Sequence, residues 1–129
     1  MDLENLKADM ELVNLYFEKI KFSRKETIAN GEYKVEVKRN FEQKDDLYII
    51  TMPIDIKKSD FSLSLIAVGK FRFNSNIEEM ELRENMIKNN GAAIIFPFIR
   101  SQVAQVTAQP GMTPIVIPAI NVTKIIDEN

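Results

Sequence analysis

The sequence predicts an α+β domain, a four-stranded antiparallel sheet followed by helices packed on one face. Three observations carry this. The first half of the chain alternates apolar and polar residues with the period of half-buried strands. The second half instead returns apolar residues at spacings of three and four. All strand-like stretches precede all helix-like ones, an order that suits an antiparallel sheet with helices segregated to one side.

The first strand is expected from about Leu12 to Phe22, after a loose acidic lead-in. Leu12, Tyr16, Ile20 and Phe22 suit a period of two, broken at Asn14, whereas Leu3, Leu6, Met10, Val13 and Phe17 suit a helix face. The polar stretch SRKETIANGE closes on Asn30-Gly31, a turn signal. It is longer than a tight hairpin needs, which suits a crossing over the sheet. In the second strand Tyr33, Val35, Val37 and Phe41 alternate with Lys34, Glu36, Lys38 and Asn40. Gln43 to Asp46 forms a hairpin turn. The third strand, Leu47 to Ile56, is almost wholly apolar, and Pro53 within it points to an edge position or a bulge because proline cannot donate to a ladder. After a turn at Lys57 to Asp60, Phe61, Leu63, Leu65, Ala67, Gly69, Phe71 and Phe73 mark the buried side of the fourth strand, with Gly69 a candidate bulge.

Ser75 to Glu78 reads as a capping box opening a first helix, with Glu79 and Glu81 at its positive end and Met80, Leu82, Met86 and Ile87 on its apolar side. Asn90-Gly91 is expected to end it. A second helix should then begin at or just before Pro97, since an interior proline lacks the N–H the helix needs. Ile95, Ile99, Val103 and Val106 share one of its faces, and Pro110-Gly111 stops it. A Pro-bounded apolar segment, Met112 to Ile117, follows. Asn121 to Asn129 fits either one short capped helical turn or an extended tail.

The 129 residues suit a single domain spanning 1–129. At this length folding buries roughly two-thirds of the chain's surface, enough for one core. With 17 basic and 19 acidic residues the net charge is −2, which argues against nucleic acid as the main partner. Lys19, Lys21, Arg24 and Lys25 do cluster near Phe22, but a solvated strand end accounts for them more simply. The chain has no Cys and no His, so disulfide frameworks, thiolate metal sites and most catalytic constellations are excluded. The four glycines are too scattered to cradle a phosphate. No cofactor is expected, and no enzymatic activity. No apolar run approaches the roughly 18 residues of a membrane span, and no signal peptide is visible. A cytoplasmic protein is expected.

One stretch carries a resemblance. Gly91-Ala92, then Ile95-Phe96-Pro97-Phe98 with Arg100, a helix, a Pro/Gly break, Pro114, Pro118 and Asn121 resemble the second half of the SecB family of protein-export chaperones. That family has a Gly-Ala, a Leu-Phe-Pro-Tyr-Ala-Arg motif, a helix, a Gly/Pro turn and a Pro-Val-Asn before its last helix. Over residues 10–88 the resemblance rests on pattern rather than identity.

The resemblance implies an ATP-independent holdase that binds unfolded or nonnative polypeptides in long apolar grooves. It implies a tetramer built as a dimer of dimers. It places Val35 and Val37 of the second strand, and the region of Ile77 and Met80, along the groove. Six Met and eight Phe supply apolar surface for such binding, unless they simply fill a core or an oligomer interface. Two departures stand out. Where family members dock the translocase motor SecA through acidic residues, this sequence aligns Lys19, Ser23 and Ala67, so the resemblance does not extend to SecA binding. The last family helix is reduced to about NVTKIIDEN. Guarding of an aggregation-prone antitoxin, as in SecB-like proteins of toxin–antitoxin systems, is as compatible with these features as export. The alternative is a non-chaperone α+β homo-oligomeric module that binds one specific protein.

Overall fold

The computed structural model describes residues 10–26, 32–74 and 79–128. Four long strands, β1 (Met10–Arg24), β2 (Lys34–Lys44), β3 (Leu47–Lys58) and β4 (Phe61–Phe73), are followed by one helix, α1 (Met80–Thr107). The chain closes with a 3₁₀ turn, Val122–Lys124, and a two-residue strand, β5 (Ile126–Asp127). The sheet order is β1-β4-β3-β2-β5, antiparallel throughout except that β5 runs parallel to β2.

Alternation in the sequence becomes two sheet faces. The inner face carries Ile50, Met52, Ile54 and Ile56 of β3 and Leu63, Leu65, Ala67 and Phe71 of β4, all buried. The helix lays a stripe of Ile87, Gly91, Ile95, Ile99, Val103 and Thr107 onto them, one residue per turn. The connection leaving β1 joins strands at opposite ends of the four-strand ladder, as its length suggests. Asn30-Gly31 lies outside the described residues.

Several expectations are corrected. β3 is an interior strand, not an edge. Pro53 is accommodated because the β2–β3 ladder lapses between the pairs Val37–Ile54 and Asn40–Thr51, so no donor is required there. Gly69 is not a bulge. The register shifts lie on β1, between Leu12 and Asn14 and between Phe17 and Lys19, and they explain why β1 fits neither strict period. A Cβ on Gly69 would sit 2.7 Å from Ile95 Cδ1 and 2.9 Å from Phe71 Cε2. This glycine lets the helix approach the sheet.

Met80–Thr107 is one helix of 28 residues where two were expected. Gly91 does not end it, because Gly91 is buried against β3, where a Cβ would collide with Ile50 Cδ1. Its lack of a side chain serves packing rather than termination. Pro97 lies inside the helix. The carbonyl it leaves without a donor belongs to Ala93, and both residues are exposed, on the side of the helix where solvent can satisfy such a group. The apolar side expected of the first helical turns is mostly outward, since Met80 and Leu82 are exposed and only Ile87 is buried. The capping box at Ser75 to Glu78 lies outside the described residues. Pro110-Gly111 does stop the helix. The Met112 amide donates to the Gln109 carbonyl at 3.0 Å and Gly111 has φ 73°, the left-handed position of a type II turn.

Candidate functional site

After that turn the chain runs extended across the end of the helix and past the inner face of β2. Ile115 and Ile117 point inward and are buried, while Val116 between them is exposed. Prolines 114 and 118 suit a segment that joins no ladder. Two polar contacts fix its course. The buried Thr107 hydroxyl donates to the Val103 carbonyl at 2.7 Å and accepts from the Ile115 amide at 2.8 Å. Arg100 Nε donates to the Ile117 carbonyl at 2.7 Å. Arg24 closes the preceding turn, donating to the Pro110 carbonyl at 2.6 Å, so it is not a free member of a basic patch.

Between this segment and β2 lies an open groove of about 580 Å³. One wall is Tyr33, Val35 and Val37; the other is Ile117, Pro118, Ile120 and Ile125. The apolar walls face water: Val35 is 38% exposed and Tyr33 37%. Along this groove the edge of β2 is open among the described residues, because β5 pairs only with Lys38 and Arg39. An extended polypeptide fits such a place, with side chains against the apolar walls and main chain against the free edge.

Val35 and Val37, the two strand residues the family resemblance singled out, both lie on the β2 wall of this groove. Met80 does not line the groove; it is exposed at the start of α1. Ile77 lies outside the described residues. Of the motif residues, Gly91 and Phe96 are buried, Pro97 and Phe98 are exposed, and Arg100 holds the groove's second wall. Met52 fills the core, and among the described residues no methionine lines the groove, so its β2 wall is β-branched and aromatic. Sequence reasoning missed Tyr33 as a wall residue, although it is in phase with Val35 and Val37. It also missed Ile120 and Ile125, which lie in a segment without periodicity.

A polar knot closes one end of the groove. Arg39, only 4% exposed, donates from Nε to Asp127 Oδ1 at 2.7 Å and from Nη2 to Asp127 Oδ2 at 3.3 Å. Its Nη1 reaches the Lys88 carbonyl at 3.1 Å and Asn89 Oδ1 at 3.3 Å. The hydrogen bond from Arg39 holds the Asp127 carboxyl below the usual carboxylate range, against the opposing effect of desolvation. Lys38 is raised above the usual lysine range, first by its hydrogen bond to Glu36 and also by Glu128.

The outer sheet face bears on the SecA comparison. Lys19 and Ser23 lie on it, paired with Ile66 and Ser62. Ala67 does not: it is fully buried on the inner face, between Phe17 and Met52. Its outward-facing neighbours, Ile66 and Val68, carry no charge either. Among the described residues no cluster of three potential ligand side chains could hold a metal, and no helix is long and apolar enough to cross a membrane.

A family model described as preprotein translocase subunit SecB matches residues 12–129. The fold is similar to that of a SecB-like chaperone of Mycobacterium tuberculosis, solved in complex with a ChAD peptide from the HigA1 antitoxin. The TM-score is 0.72 at 11% identity, over 91% of each chain. It is also similar to a protein of unknown function from Streptococcus agalactiae, with a TM-score of 0.58 at 13% identity, covering 87% of this chain and all of that one. No curated protein matches the sequence.

Proposed function

The chain belongs to the SecB family, and from that premise we propose that it is an ATP-independent holdase that binds nonnative polypeptides in the groove between β2 and the segment 112–125. The observation that carries this is the water-facing apolar wall of Tyr33, Val35 and Val37 beside an open strand edge. A packed core needs no such wall, and a soluble protein keeps an exposed apolar groove where something binds it. Extended, apolar segments are what unfolded chains offer and folded ones hide. Val35 and Val37 are the client-contacting residues of this reading.

The antitoxin peptide bound by the M. tuberculosis relative favours guarding of one aggregation-prone partner as a role of the same groove. Export through SecA has less support. With Lys19 and Ser23 on the outer face and no acid at 66, 67 or 68, the acidic surface that orients a basic partner is missing. Titration against SecA at physiological salt should give no binding; a micromolar or tighter complex overturns this part of the reading.

A homo-oligomer completes the picture. β1 ends the sheet with one edge unpaired among the described residues, and the helix covers it poorly, leaving Leu12 and Ile20 at 36% and 47% exposure. On one flank of the buried stripe of α1, Ile94 is half-buried against the core and Phe98 is exposed. These surfaces support a tetramer arranged as a dimer of dimers. A photo-crosslinking residue at position 35 tests the groove. It should label several unrelated urea-unfolded proteins and none of their native forms. Labelling of one folded partner alone would favour the specific interaction module.

A further inference from the structure

The groove's closed end holds a ligand already, the chain's own tail, and the way it is held is informative. β5 is two residues long and the side chain of Ile126 is 64% exposed, so apolar packing holds the tail at Val122 and Ile125 but not within β5 itself. Beyond Ile125 the tail is held by its carboxylates. Asp127 takes two bonds from Arg39. Glu128 accepts from Asn40 Nδ2 at 2.8 Å and lies 3.6 Å from Lys38 Nζ, while its amide donates to the Arg39 carbonyl at 2.9 Å. One residue earlier, Ile125 lines the apolar groove.

We propose that Lys38, Arg39 and Asn40 form a carboxylate-recognising subsite that selects client segments in which an extended apolar stretch is followed by two acidic residues, with the tail occupying it until such a client displaces it. This rests on the groove being the client site. Three features of the geometry support it. The tail runs parallel to β2 and pairs at Lys38 and Arg39, but its chain departs into the 3₁₀ turn at Val122–Lys124 and, among the described residues, the outer edge of β2 from Lys34 to Val37 has no ladder partner opposite β3. A client strand in the same direction, with no turn, covers that edge and the Val35–Val37 wall and still delivers its acids to Arg39 and Asn40. It therefore gains every contact the tail makes and adds the apolar ones. Arg39 is buried and fixed from behind by the Lys88 carbonyl and Asn89, so its fork is preorganised for a carboxylate.

The test uses the full chain as wild type and as the Asp127→Asn/Glu128→Gln variant, whose altered side chains are exposed and outside the core. Two fluorescein-labelled peptides are titrated by anisotropy, one of six alternating Val and Thr residues ending in Ile-Asp-Glu and one ending in Ile-Asn-Gln. The acidic peptide should bind the variant about tenfold tighter than the neutral one, and about tenfold tighter than it binds wild type, where the tail competes. Raising salt from about 0.05 to about 0.5 M should weaken only the acidic peptide. Equal binding of the two peptides overturns the subsite and leaves the apolar groove standing. Failure of both peptides to bind either protein overturns the subsite and the groove reading together.

Discussion

Arg39 Nε and Asp127 Oδ1 meet at 2.7 Å across 88 residues of sequence. This contact ties the last strand to β2, and through the other arm of the guanidinium to the middle of α1. It makes the docking of the tail a matter of charge, and therefore of pH. A carboxylate whose folded pKa is depressed contributes stability that is fully present above its unfolded value and lost as pH falls through the lower folded value. Asp127 is such a group. The tail should stay docked from neutral pH down to about 4, the ordinary range of an aspartate, and detach below it. The Glu128 amide resonance, bonded to Arg39, reports this directly. A shift that begins near pH 6 contradicts the assignment.

The close seating of α1 depends on the missing side chains of Gly69 and Gly91. Gly91→Ala places a methyl against Ile50, which is itself fully buried. Overpacking of this kind costs about 1–3 kcal/mol. Thermal unfolding of this variant should show a clear fall in Tm. An unchanged Tm would mean that the helix stands further from the sheet than described.

Most of the sheet was legible because its cause is local. Period-two alternation marks Val35, Val37 and the inward residues of β4, and the turns at Asp45-Asp46 and Ser59-Asp60 follow polar runs. The rest depends on contacts distant in sequence. Gly91 reads as a stop until Ile50 is seen beneath it, and Pro97 reads as a start until both it and Ala93 are seen to face water. The two irregularities of β1 are invisible without β4 beside it. Of the candidate groove, the alternation of β2 marks Val35 and Val37 as strand residues of one face, and the family resemblance alone pointed to them as groove residues. The other wall, Ile117 to Ile125, was not legible, because its position is set by Thr107 and Arg100 rather than by any pattern of its own.

The exposed apolar residues of β1 and the outward side of α1 call for a partner surface. Multi-angle light scattering at micromolar concentration should give the mass of four chains rather than the 14.8 kDa of one. Obligate interfaces typically bury more than about 2,000 Å², so dilution should not readily dissociate it. A monomer mass removes the tetramer.

The groove itself is tested most directly by a charge placed on its wall. Val35 is 38% exposed and outside the core, so Val35→Asp should leave the melting temperature nearly unchanged while making the wall hostile to apolar segments. The decisive measurement is aggregation of several unrelated denatured proteins, followed by light scattering, with the chain present at near-stoichiometric ratio. Wild-type protein should suppress aggregation of all of them, and Val35→Asp should lose most of that effect. Suppression that is absent in the wild type, or undiminished in Val35→Asp, would contradict a holdase working through this groove.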